Sequence, residues 1–319
     1  MKKFLASAAA LISLSLSTVA LADDGASTLL DKMSEASQSL NYEMSYVLIR
    51  KGSIEPLVYR QANDNGKHLA QLVYLSGPVR EVIQRGSQVS YIEPGIDPFT
   101  IASDRMVAPL MPMLKVDVQD LKDNYDIVKV GRAREAGSAT DVIRVVPKDG
   151  QRYSYIVWID EHTSLPLRAD LIDRDGEVLE QYRTVSYSVT DHLVPIMKGL
   201  EGAALPELVT LPKSNTKQVA WQVTWMPQGF NSKKIQSHPL FGSNRVVESQ
   251  IYTDGVFQFS IYVAPEDDYS LKRQLVRQGR RTLQSGIVDK HEVIVIGDIP
   301  PSTAERILHS VTFNAVASQ

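Results

Sequence analysis

The chain has 319 residues, no cysteine, and a formal net charge of −3 from 34 basic and 37 acidic side chains. Without cysteine there is no thiol catalysis, disulfide or thiolate metal site. The slightly acidic balance argues against nucleic acid as a partner.

Met1-Lys2-Lys3, an apolar run from Phe4 to Leu21, and Ala20-Leu21-Ala22 before Asp23-Asp24 form the pattern of a secretory signal peptide over residues 1–22, cleaved after Ala22. With no cysteine there is no lipobox. No later apolar run approaches the roughly 18 residues that span a bilayer. The mature protein is expected in the periplasm, soluble and not covalently anchored. Its remaining length of about 297 residues suggests two domains of roughly 100–200 residues each.

Ala26–Leu40 carries Leu29, Leu30, Met33, Ala36 and Leu40 at the spacing of a helix with one buried stripe. Strand signals follow. Tyr42–Arg50 places Tyr42, Met44, Tyr46 and Leu48 on one face. Leu57–Gln61 and Leu69–Leu75 flank Asn63-Asp64-Asn65-Gly66, a positive-φ turn sequence, and Val79–Gln84 and Gln88–Ile92 flank Arg85-Gly86-Ser87. This half reads as an antiparallel meander.

Asp104–Tyr125 is rich in Met and Leu and broken by Pro109 and Pro112, which predicts short helices or an irregular apolar segment. Met106, Met111 and Met113 are flexible and polarizable. They serve either as core or as a lid over an apolar cavity. Strands resume at Asp126–Val130 and Asp141–Val146. Three more follow at Tyr153–Ile159, Leu167–Ile172 and Val178–Tyr187, the last two joined by Asp173-Arg174-Asp175-Gly176. Tyr153–Ile159 is apolar on both faces, Tyr155 and Val157 on one, Ile156 and Trp158 on the other, so both faces need a cover.

Residues 23–190 are expected to form the first domain, 191–216 a linker with one short helix, and 217–319 a second α+β domain. In the latter, Thr253-Asp254-Gly255 joins strands Val246–Tyr252 and Val256–Val263, Tyr269–Gln278 reads as a basic helix, and Val293–Ile296 is a buried strand. Ser302 and Glu305 fit a capping box opening a helix that buries Ile307, Leu308 and Val311.

The six histidines, at 68, 162, 192, 238, 291 and 309, make no metal-binding spacing. There is no nucleophile elbow, phosphate-binding loop or dinucleotide fingerprint, and Asp173–Gly176 is a hairpin turn rather than a calcium loop. No catalytic residue, metal or cofactor is expected. Lys272, Arg273, Arg277, Arg280 and Arg281 concentrate positive charge. They form either a solvated face or a docking surface for an acidic peptide or lipid phosphates.

Several stretches resemble the RseB/MucB family, regulators of the sigma-E envelope-stress response. They are residues 36–42 (ASQSLNY), 91–95 (YIEPG), 153–160 (YSYIVWID) through 165–168 (LPLR), 225–230 (WMPQGF), 252–255 (YTDG) and 297–304 (GDIPPSTA). The resemblance covers nearly all of the mature chain. It implies an α+β protein with an N-terminal unclosed antiparallel β-barrel, helices in its concavity, similar to the lipoprotein carriers LolA and LolB, and a smaller C-terminal α+β domain used in partner contact. It further implies a negative regulator that binds the periplasmic domain of the membrane anti-sigma factor RseA and shields it from the site-1 protease DegS. Lipopolysaccharide or mislocalised lipid would relieve the block, and members self-associate, a dimer being expected. The expected lipid-pocket residues are Met106, Leu110, Met111, Met113, Tyr153, Tyr155, Val157 and Trp158, and the expected partner contacts Arg273, Arg277, Arg280 and Arg281. A periplasmic lipoprotein carrier of the LolA/LolB type is the alternative.

Overall fold

The computed structural model describes residues 24–209, 221–232, 236–239 and 246–313. The expected signal peptide lies outside the described residues, as does most of the second half of the expected linker.

Helix α1 (Asp24–Ser39) buries Ala26, Leu30 and Met33. Eleven strands follow with two short helices among them. They are β1 (Tyr42–Arg50), β2 (Ser53–Asp64), β3 (Lys67–Tyr74), β4 (Glu81–Arg85), β5 (Gln88–Ile92), β6 (Phe99–Ala102), α2 (Val118–Lys122), β7 (Tyr125–Glu135), β8 (Ser138–Pro147), β9 (Ser154–Asp160), β10 (Pro166–Ile172), β11 (Val178–Val189) and α3 (Leu193–Lys198). They make one antiparallel sheet in the order β6-β5-β4-β3-β2-β1-β11-β10-β9-β8-β7. The chain runs outward to β6, crosses through the irregular segment, and returns from β7. The two ends of the sheet do not meet, so the barrel is unclosed.

Period-2 burial sets the faces. Tyr42, Met44, Tyr46 and Leu48 of β1 are buried, as are Tyr155, Val157 and Ile159 of β9. Asn65 (φ 49°) and Gly66 (φ 82°) supply the two left-handed residues of the β2–β3 hairpin.

The residues after β11 stay on this sheet. Met197 of α3 is buried with Ala62 and Leu69. Arg85 donates to the carbonyls of Leu200 and Glu201, just past the end of the short helix. Thr100 of β6 donates its amide to Glu207 and accepts from Val209, so this stretch covers the β6 edge. At the other end, β7 carries most of its length exposed.

The second sheet comprises β13 (Asn231–Ser232), β14 (Gln236–Pro239), β15 (Val246–Thr253), β16 (Gln258–Pro265), β17 (Gln274–Gln278), β18 (Arg281–Val288) and β19 (His291–Gly297). Its order is β13-β15-β16-β19-β18-β17, with β14 also on β15. A separate pair joins β12 (Trp221–Val223) to β20 (Val311–Phe313). Helix α4 (Pro301–His309) packs on β18 and β19 through Ile307 and Leu308.

The structure departs from expectation at three places in this domain. The stretch 269–278 is not a helix: residues 274–278 form the exposed edge strand β17, paired with β18 across a turn at Gly279 (φ 57°). The arginines therefore share no helical face. The capping box also fails. Pro301 is the first helical residue and Pro300 the cap, so Ser302 sits inside the helix and its Oγ instead accepts from Arg174. Val311 is buried as expected, but in β20.

Candidate functional site

The segment between β6 and α2 makes few backbone hydrogen bonds of its own, and side chains of the half-barrel satisfy it instead. Gln84 donates to the Asp104 carbonyl (3.0 Å), and the Tyr91 hydroxyl accepts from the Val107 amide (3.0 Å). Tyr46 donates to the Pro109 carbonyl (2.8 Å), and Ser34 of α1 bonds both the amide and the carbonyl of Val116. Met113 lies in the left-handed region (φ 60°), which an unbranched side chain tolerates better than a branched one.

Beneath this segment lies a cavity of about 170 Å³. Its lining includes Tyr59 and Gln61 of β2, His68 of β3, Gln84 of β4, and the expected pocket residues Met106, Leu110, Met111 and Met113. Gly255 and Val256, from the β15–β16 turn of the second domain, complete the wall. Gln61 donates to the carbonyls of Ser37 and Leu40, and Tyr59 donates to Gln61. Burial, reinforced by the Lys115 charge, lowers the His68 pKa to about 4, so the imidazole is neutral at pH 7. A polar opening adjoins the cavity and shares Arg105, Lys115 and Val116 with it, and there the two cations stand among Asp31, Asp104 and Asp117.

The other expected pocket residues lie elsewhere. Tyr153, Tyr155 and Val157 are buried but do not line this cavity. Phe257 of the second domain covers the two tyrosines, stacked on Tyr155 (centroids 5.6 Å apart, planes at 7°) and edge-on to Tyr153 (6.1 Å). Trp158 faces the opposite way. The Arg168 guanidinium lies 4.1 Å above its ring and pairs with Asp170 at 2.6 Å. A cation on an outward indole, not a lid, is the second cover of β9.

Phe257 belongs to a seam between the domains that the sequence did not disclose. Arg152 is 1% exposed. It pairs with Asp254 of the second domain at 3.0 Å and with Asp149 of the first at 3.0 Å, and its guanidinium lies 4.6 Å from the Tyr125 ring centroid. The Tyr125 hydroxyl donates to the same Asp254 Oδ2. Burial and then the Asp254 charge push the Tyr125 pKa up, so that donor is retained at any physiological pH. Asp254 Oδ1 accepts from the amides of Val256 and Phe257, closing its own turn. Further along the seam, Tyr153 donates to the Ile299 carbonyl and Thr303 donates to the Gln151 carbonyl. Gly229 leaves no room for a side chain, since a Cβ there would stand 2.4 Å from Asn124 Nδ2.

The seam also takes up part of the arginine cluster. Arg277 pairs with Asp173 (3.2 Å), and Arg280 with Asp298 (3.3 Å) and Glu180 (3.8 Å), so both reach first-domain carboxylates. The Arg273 and Arg281 side chains are 83% and 65% exposed, beside Glu305 and Asp298. No group of three or more metal-ligating side chains occurs among the described residues.

Comparison with known proteins fits both units. A model of the MucB/RseB N-terminal domain matches residues 25–218, and one of the MucB/RseB C-terminal domain matches residues 215–312. The chain is 45% identical over 305 residues to the sigma-E factor regulatory protein RseB of Salmonella typhimurium, covering 95% of this chain and 96% of that protein. It is 43% identical over 304 residues to the protein of the same name from Escherichia coli, covering 95% of each. Among solved structures, the MucA/MucB complex of Pseudomonas aeruginosa superposes with a TM-score of 0.74 at 25% identity, covering 92% of this chain and all of that one.

Proposed function

Because the chain belongs to the MucB/RseB family, we propose that it is a periplasmic negative regulator of the sigma-E envelope-stress response. It binds the periplasmic domain of the anti-sigma factor RseA, shields it from DegS, and lets go when a lipid such as lipopolysaccharide occupies the first domain. The observation that carries this reading is the 45% identity to a sigma-E regulatory protein across both domains. The MucA/MucB complex supports an anti-sigma factor as the partner.

The lipid half rests on the methionine-lined cavity and on the polar opening beside it, where Arg105 and Lys115 stand among three aspartates. Burying apolar surface is worth roughly 25 cal/mol per Å², enough for part of an acyl chain to bias a two-state protein. Tight binding alone moves nothing; the lipid must prefer the released form. Met106, Leu110, Met111 and Met113 are the proposed chain contacts, and the exposed Arg273 and Arg281 the proposed partner contacts. A simple carrier fits less well, because part of the cavity wall comes from a second domain that a carrier does not need.

The deciding experiment measures DegS cleavage of the RseA periplasmic domain with the mature chain added, and again with lipopolysaccharide. The chain should slow cleavage and the lipid should restore it. Unslowed cleavage removes the regulatory reading. Slowed cleavage that saturating lipopolysaccharide leaves unchanged removes the sensing half.

A further inference from the structure

Its walls differ in how firmly they are held. The cavity, at about 170 Å³, is smaller than the roughly 300–1,000 Å³ of ordinary ligand sites. Burying a whole acyl chain therefore requires a wall to yield. Tyr59, Gln61, His68 and Gln84 stand on laddered strands. The segment over them is tied down at Asp104, Val107, Pro109 and Val116. The turn carrying Gly255 and Val256 shares no ladder with the first sheet. It is held there by Asp254 and Phe257.

We propose that this turn is the cavity's moving wall, so that a full-length acyl chain enters by displacing it and thereby parts the two domains. The inference rests on the lipid reading above and adds how occupancy reaches the second domain. Asp254 divides its work: Oδ1 shapes the turn, while Oδ2 alone holds Arg152 and Tyr125. Moving the turn away breaks the second set and leaves the first intact. Arg152 is not then stranded, because Asp149 lies on its own side of the seam at 3.0 Å. The parted form thus keeps a counter-charge for its buried arginine, which makes that form accessible. A ligand that fits only the parted form shifts the population toward it.

The chain has no cysteine, so Asp175→Cys and Gln274→Cys, both exposed and on opposite domains, accept spin labels cleanly. The probe is monomeric 1-lauroyl lysophosphatidylglycerol, added to the full mature chain. Saturation should lengthen the inter-label distance. Asp254→Asn keeps an Oδ1 acceptor but turns an amide toward Arg152. It should lengthen the distance without lipid and bind the probe several-fold more tightly. Tyr125→Phe, which removes only one hydroxyl, should act in the same direction more weakly, and serves if the first variant does not fold. Saturation with unchanged distances, or variants that bind no more tightly, overturns this inference alone. No uptake by any of the proteins overturns the lipid reading and this inference with it.

Discussion

Over Tyr59 and Gln61 the concave face of the first sheet is covered by an irregular, proline-broken segment of the same domain. Over Tyr153 and Tyr155 it is covered by Phe257 from the other domain. The first cover uses methionines and scattered side-chain-to-backbone hydrogen bonds, and leaves a cavity. The second uses stacked rings beside a buried ion pair. The difference teaches where such a molecule can adapt. Unbranched thioethers refill space of changing shape while their segment stays tied down, whereas the ion-paired cover moves only as a unit, between geometries that each leave the buried charge a partner.

The contrast breaks most sharply at Arg152. Arg152→Ala leaves the Asp254 carboxylate buried without its cation, and should cost about 3–5 kcal/mol in urea unfolding. A loss below about 1 kcal/mol would show that the seam is no more demanding than a surface pair.

His68 tests the softer side through pH. Its folded-state pKa of about 4 lies below the usual 6.5, so the folded protein favours the neutral ring. The associated stability is present above pH 6.5 and is lost as pH falls toward 4, by at most roughly 3 kcal/mol. His68→Gln should flatten that part of the profile of urea midpoint against pH.

Gly229→Ala sharpens the comparison next. At φ 82°, with Asn124 at 2.4 Å, it should destabilise by about 1–3 kcal/mol. Adding Asn124→Gly should recover the steric share and leave the backbone strain. The smallest expected effect is at Arg273, whose side chain is 83% exposed. Arg273→Glu should change stability by less than about 0.5 kcal/mol, while weakening RseA binding at low salt more than at high salt.

Much of the first domain was legible because its hairpins announce themselves. Asn65-Gly66 and Asp175-Gly176 sit between alternating apolar runs, and the prolines at 109 and 112 rule out a regular helix. The edge strand β17 was not legible. Arginines at 273, 277, 280 and 281 satisfy a helical spacing, and only pairing with β18 decides otherwise. Pro300-Pro301 displaced the expected cap, because a ring that presets φ outcompetes a hydroxyl one residue later. Trp158 looked like pocket wall because a sequence does not show Arg168 folding over it. Arg152 stands just ahead of the strand expected to begin at Tyr153, and nothing in its own stretch marks it as buried. Its partner Asp254 is 102 residues away in what looked like an ordinary turn.

The unclosed barrel has one further consequence, for how copies of the chain meet. An open sheet ends in two rows of backbone donors and acceptors, each a template onto which another strand can zip. The β6 end is sealed by the molecule's own residues 207–209. The β7 end is guarded by other means. Lys129, Arg132 and Arg134 punctuate it, and a bulge between Lys129 and Gly131 breaks its straight run. Crowded molecules therefore find no flat, uncharged border on which to grow a continuous ribbon.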